Sequence, residues 1–154
     1  MREVEVVGVR VEMPSNQPIV LLREAEGERY LPIWIGAVEA TAIAFAQQGV
    51  IPPRPLTHDL LKNVLESTGN TLTEVRITEM TDGVFYASLV LDSGAEIDAR
   101  PSDSIALAMR TGARIVCSEG LLDEVGIAVP DEREEEVEKF REFLDHVSPE
   151  DFES

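Results

Sequence analysis

The chain twice reads as three short strands followed by a helix, and each helix carries an acid in its first turn. The second junction is the clearer one: Asp98-Ala-Arg-Pro-Ser-Asp-Ser-Ile-Ala-Leu-Ala-Met-Arg110. Pro101 suits the first helical position, where a missing N–H costs nothing. Asp103 follows two residues later, beside unpaired backbone N–H groups and the positive end of the helix dipole. The earlier run Ile35-Gly-Ala-Val-Glu39-Ala-Thr-Ala-Ile-Ala44 aligns with Ala99 to Ala108 at an offset of 64 residues (103 − 39). An acid matches an acid, and Ala42/Ala106, Ile43/Leu107 and Ala44/Ala108 follow in register. Self-similarity of this kind points to an internal duplication.

The remaining segments fit around these junctions. Val4–Met13, Ile19–Arg23 and Tyr30–Ile35 read as strands joined by short turns, hence an antiparallel meander. Ala37 to Gln48 is apolar on every side, which predicts a buried helix. Ile51-Pro-Pro-Arg-Pro55 is an extended connector. Thr57 is placed to cap a helix that runs to about Thr68, with Leu60, Leu61, Val64 and Leu65 toward a core and His58 and Asp59 at the surface. Leu72–Met80, the Asp82-Gly83 hairpin signal, Val84–Leu91 and Ala95–Asp98 form the second meander. Arg114–Cys117 is a further strand, and Ser118 caps a short helix over Glu119–Val125. Asp131 to about His146 has an apolar stripe of Val137, Phe140, Phe143, Leu144 and Val147, the pattern of an amphipathic helix. The expected fold is α+β: duplicated β(3)-α units, helices packed on mixed, mostly antiparallel sheets, and a C-terminal amphipathic helix. The domain spans 1–130, followed by an acidic segment, 131–154.

Several function classes are disfavoured. The net charge of −17 opposes non-specific attraction to nucleic acid, which relies on Lys and Arg. No apolar run is long enough to cross a membrane. The N-terminal Met-Arg-Glu-Val-Glu lacks a signal-peptide core, so a cytoplasmic location is expected. The single cysteine, Cys117, excludes an internal disulfide and a multi-cysteine zinc site, and its Ile-Val flank predicts a buried thiol.

Three runs together resemble the bifunctional nuclease domain family. They are Leu31-Pro-Ile-Trp-Ile-Gly-Ala-Val-Glu-Ala40, Arg54-Pro-Leu-Thr-His-Asp-Leu-Leu61 and Ala99-Arg-Pro-Ser-Asp-Ser-Ile-Ala-Leu-Ala108. The likeness covers roughly residues 1 to 130. It implies a duplicated β(3)-α fold, dimers, and cleavage of both RNA and DNA, an activity best known from plant members.

The chemistry of the residues themselves names the candidates. Phosphodiester cleavage needs charge neutralised on the phosphate and a positioned nucleophile. Asp98, Asp103 and Glu39 are the carboxylates that can hold Mg²⁺ or Mn²⁺ if the two helix starts face each other. Arg100 and Arg54 are candidate phosphate contacts, with Ser102 or the helix N-terminus assisting. His58 is the only histidine outside the C-terminal segment and so the natural general acid or base, with Asp59 or another carboxylate as its partner. Each acid also has an adequate structural task, whether capping a helix or pairing with Arg100. A nuclease is therefore set beside two alternatives: a non-catalytic interaction or regulatory module, and a binder of a small anion. A homodimer is expected from strand edges that need covering and from the amphipathic C-terminal helix.

Overall fold

Asp82 and Gly83 take φ values of 54° and 77°, the left-handed pair that a two-residue hairpin turn demands. They fold β4 (Leu72–Thr81) directly onto β5 (Val84–Leu91), which turns again into β6 (Glu96–Ala99). An equivalent antiparallel meander precedes it: β1 (Arg2–Glu12), β2 (Gln17–Glu24) and β3 (Arg29–Trp34). This computed structural model describes residues 1–12 and 14–128. The expected C-terminal amphipathic helix and the boundary at residue 130 lie outside the described residues.

Each meander feeds a helix, α1 (Ala37–Gln48) after the first and α3 (Pro101–Thr111) after the second, with α2 (Thr57–Ser67) between them. Both long helices end at a glycine in the left-handed region, Gly49 and Gly112. Their N-caps, Gly36 and Arg100, are 64 residues apart (100 − 36), so the sequence register is also the register of the helix starts.

The described residues form one mixed α+β unit whose eight strands lie in a single sheet, ordered β6-β5-β4-β7-β1-β2-β3-β8. β7 (Arg114–Cys117) joins the two meanders, parallel to β4 and antiparallel to β1, and places Ile115 between Val75 and Val4. No strand follows α1 in the same way; the chain there makes the proline connector and α2. The repetition is thus one of element order and helix start, and the second half carries the strand that closes the sheet. β8 (Ile127–Ala128) extends the far edge beside β3, after the short helix α4 (Glu119–Val125). Ser118 caps α4 as its sequence predicts, accepting from the Leu121 N–H at 3.2 Å.

The core lies between the sheet and the α1–α3 pair. Val75, Ile77, Ile43, Ile105 and Leu107 are fully enclosed, and Ala106 and Ala108 let α1 approach α3 closely. A second anchor is polar. Buried Glu24 accepts from the Arg29 Nε at 2.8 Å and the Arg2 Nε at 3.1 Å, while Arg29 also pairs with Asp123 of α4. Arg29 holds the Glu24 carboxyl down at about 2, overcoming the burial that opposes ionisation.

Four local expectations are corrected. α1 is not buried all round: Ala40, Ala42 and Ile43 are enclosed but Val38 is 74% exposed, because α3 and the first meander cover one side only. In α2 most of the apolar stripe is turned outward, with Leu60 at 55% and Val64 at 48% exposure and Leu61 also exposed, while Leu65 packs against the core as expected. His58, expected at the surface, is buried. The physical reason is that the first turn of α2 docks on α3 through polar contacts, while Leu65 alone of its leucines packs against the core. Leu56, not Thr57, is the N-cap; its N–H donates to the Asp59 carboxylate at 3.0 Å, which does the capping work from inside the helix.

Candidate active site

Two helix starts and the first turn of a third meet around Arg100. Glu39 and Asp103 occupy the third positions of α1 and α3. The Arg100 guanidinium donates from Nε to Asp103 Oδ2 at 2.9 Å and lies 3.2 Å from Glu39 Oε2 through Nη2. The other Asp103 oxygen, Oδ1, lies 2.9 Å from His58 Nε2. Glu39, Arg100, Asp103 and His58 are therefore one continuous chain of charge-assisted contacts.

Local geometry explains how the sequence builds it. Arg100 is the extended residue before Pro101, a conformation that proline imposes on its predecessor. The Ser104 hydroxyl, fully buried, donates to the Arg100 carbonyl at 2.8 Å and fixes this turn. At the other helix start, Gly36 leaves space for the Glu39 carboxylate: a Cβ there would come within 2.3 Å of Oε1. Neither helix start is capped by the side chain of its N-cap residue. For Asp103 the expected capping task gives way to pairing with Arg100 and His58.

The electrostatics follow from these contacts. Burial pushes the Asp103 carboxyl up, but hydrogen bonds from Arg100 and His58 outweigh it and hold it below the usual aspartate range. Asp103 in turn raises Arg100. The side chains of Arg100 and Asp103 are each about a third exposed, whereas His58 and Glu39 lie deeper. The open side of the cluster therefore presents one guanidinium and one carboxylate. Two carboxylates share one guanidinium, so the group has no net positive charge when His58 is neutral.

The other sequence candidates are not gathered here. Asp98 is exposed on β6; strand alternation points it away from Ala99 and Ile97, whose partners Ala87 and Leu89 face the helices. Ser102 is buried in the first turn of α3. Arg54 is exposed on the proline connector. Among the described residues no three His, Cys, Asp or Glu side chains converge as a metal site needs. The two carboxylates that could hold Mg²⁺ or Mn²⁺, Glu39 and Asp103, already face a fixed cation. This arrangement does not fit a resident metal.

The partner of His58 is Asp103, 45 residues away, and not its neighbour Asp59. Asp59 instead accepts from Arg110 Nε at 2.8 Å. Nothing local in the sequence marks Arg110, because its partner lies 51 residues away. Beside this pair, a groove of about 540 Å³ runs between Pro52, Pro53, Pro55, Lys62 and Met109. Cys117 is buried, and burial pushes its thiol up to about 12, so it takes no part as a nucleophile.

The chain is similar to several known proteins. A family model described as "Bifunctional nuclease domain" matches residues 20–130. An uncharacterized protein of Mycobacterium tuberculosis (strain ATCC 25618 / H37Rv) is 56% identical over 161 residues, covering 99% of this chain and 98% of that protein. Bifunctional nuclease 1 of Oryza sativa subsp. japonica is 30% identical over 101 residues, covering 62% of this chain and 30% of its own. Bifunctional nuclease 2 of the same plant is 27% identical over 110 residues, with 67% and 34% covered. The chain thus matches about a third of each rice protein's length. No helix among the described residues is long and apolar enough to cross a membrane.

Proposed function

The chain belongs to the bifunctional nuclease domain family, and from that premise we propose that it is a cytoplasmic nuclease that cleaves phosphodiester bonds of RNA or DNA at the Glu39–Arg100–Asp103–His58 cluster. One observation carries the assignment of the site: a single carboxylate, Asp103, is engaged on one oxygen by a histidine and on the other by an arginine. The names of the rice relatives support the class of reaction.

In this reading Arg100 meets the phosphate and offsets charge that develops on its oxygens. His58 carries the proton, and Asp103 fixes the orientation of the imidazole. Glu39 holds Arg100 in place. Arg54, between two prolines that line the groove, is a second phosphate contact. Ser102 and the start of α3 shape the floor beneath. A metal-assisted version would use Glu39 and Asp103 as ligands of Mg²⁺ or Mn²⁺ and would have to displace Arg100 from between them. Asp98 faces elsewhere and would not join them.

The same cluster favours a second reading. Because Arg100 is shared by two carboxylates, it can serve only to lock α1 to α3, as it would in a non-catalytic interaction module. Assay of the purified protein on single-stranded RNA and DNA, with EDTA or Mn²⁺, separates the readings. Wild type should cleave and Asp103→Asn should not, with both folded. Cleavage that survives EDTA supports the metal-free version, and cleavage that requires Mn²⁺ supports the metal-assisted one. A folded wild type without activity under either condition leaves the structural module. We also infer a homodimer, formed through the outward stripe of α2.

A further inference from the structure

We propose that Arg110 is a positioning residue that sets His58 against Asp103, acting through Asp59 and touching no reacting atom. The inference uses the proposed nuclease site only for its effect on rate; the geometric part stands without it.

Asp103 and Arg110 lie two turns apart on α3, so they share one face of that helix. The first turn of α2 meets this face with two consecutive residues. His58 reaches Asp103, and Asp59 reaches Arg110. Adjacent residues on a helix point about 100° apart, so both contacts form only at one placement of the turn. Fixing Asp59 therefore fixes where His58 points.

Arg110 is equipped to hold that placement. Its side chain is 9% exposed, and its donors reach all three helices. Nε donates to Asp59 Oδ1 on α2 at 2.8 Å, Nη2 to the Ala42 carbonyl on α1 at 2.9 Å, and Nη1 to the Ala106 carbonyl of its own helix at 2.7 Å. A planar fork used in three directions is rigid in a way a lysine cannot imitate. The second Asp59 oxygen takes the Leu56 N–H, which ties the start of α2 to the same carboxylate. Leu60 and Leu61 face outward, so the apolar hold on α2 comes from Leu65 near its far end and leaves the first turn to Arg110 and Asp59.

The test is made on the full chain with Arg110→Met, which keeps the apolar stem, Arg110→Lys, and Asp59→Asn. The histidine ring nitrogens are read by ¹⁵N-correlated NMR; His146 is the only other histidine. In Arg110→Met the His58 ring signals should move to the pattern they show in Asp103→Asn, with the circular dichroism of wild type. Arg110→Lys should fall between. Cleavage by Arg110→Met should lose about tenfold or more in kcat with KM unchanged, as expected when a reacting group is misplaced. Wild-type ring signals in a folded Arg110→Met protein overturn the proposal. If that variant does not fold, Asp59→Asn decides it by the same signals: a shift toward the Asp103→Asn pattern upholds the role, and an unchanged pattern removes it. An inactive wild type would defeat the nuclease reading while the ring signals still decide the role of Arg110.

Discussion

Glu39 and Asp103 stand at the same position of two different helices and meet at one guanidinium, 3.2 Å and 2.9 Å from Arg100. An acid in a first turn normally answers the helix's own N–H groups. Here the two acids answer a side chain from between them, which turns two local helix signals into a single tertiary contact.

Replacing Arg100 therefore has two separable effects. Arg100→Gln leaves two carboxylates facing each other without their shared cation. The contacts are partly open to water, so the loss of stability should be only about 1 kcal/mol. Cleavage should fall by about 10²-fold or more, since the group that faces charge on the phosphate is gone. Thermal unfolding and single-turnover cleavage measure the two; a large stability loss with unchanged cleavage would assign Arg100 to the fold alone.

His58→Gln tests the proton carrier. Glutamine can still donate to Asp103 but cannot shuttle a proton at neutral pH. The rate should drop by about 10²- to 10⁴-fold while substrate binding is kept. Equal binding and an undiminished rate would remove His58 from the chemistry.

Glu24 governs acid stability. Its carboxyl is depressed from 4.5 to about 2 in the folded chain. A group depressed on folding stabilises the fold above its unfolded pKa, and that stabilisation is lost as pH falls through the folded value. The loss should thus run from about pH 4.5 down to 2 and amount to roughly 3 kcal/mol. Glu24→Gln should flatten this part of the stability profile in denaturant titrations. It should also cost about 3–5 kcal/mol at neutral pH, because Arg29 is left without its buried partner. A profile as steep as that of wild type would assign the acid sensitivity to other carboxylates.

Much of this was readable in the chain because the signals were local. Asp82-Gly83 specified a hairpin, Pro101 a helix start and Ser118 a cap, and each holds. The sequence made the meeting of Glu39 and Asp103 conditional on the two helix starts facing each other, and both acids reach Arg100. What was not readable is non-local. β7 enters between two meanders by pairing with strands 40 and over 100 residues away in sequence, as Arg114 does with Glu74 and Cys117 with Arg2. α2 misled in the same way: its leucines have a core-facing period, yet a histidine and an aspartate decide its orientation by reaching α3. Asp98 misled for a simpler reason, since proximity to Asp103 in sequence says nothing about the face of β6 on which it lies.

Gly36→Ala isolates the Glu39 arm of the cluster. The backbone there is extended, with φ at −77°, so alanine fits without strain. The added methyl would instead meet the Glu39 carboxylate at 2.3 Å and push it off its present seat. The far end of a flexible side chain yields easily, so stability should change by less than about 1 kcal/mol. The contact between Glu39 and Arg100 should be lost, and cleavage should fall in parallel with Glu39→Gln. A fully active Gly36→Ala protein would show that Glu39 does not hold Arg100 for the reaction.

The outward stripe of α2 makes the dimer testable. Leu56, Leu60, Leu61 and Val64 are exposed along one helix, and Ile51 stands 90% exposed on the connector before it. Covering a large aliphatic side chain is worth about 1.5–3 kcal/mol, so several together can hold two copies about a two-fold axis. Leu60→Lys is the informative change, because its charge argues against the trivial explanation. Each chain carries −17, and the lysine brings it to −16, which on charge alone would ease association. Loss of the dimer in this variant then reflects the lost apolar contact together with the cost of burying an unpaired ammonium there, both of which require Leu60 to lie in the interface. The chain's own stability should stay within about 0.5 kcal/mol, as for an exposed site. Light scattering at micromolar concentration should show a dimer for wild type and half that mass for Leu60→Lys. A monomeric wild type, or a variant that stays dimeric, would move the interface elsewhere and leave the α2 stripe without this role.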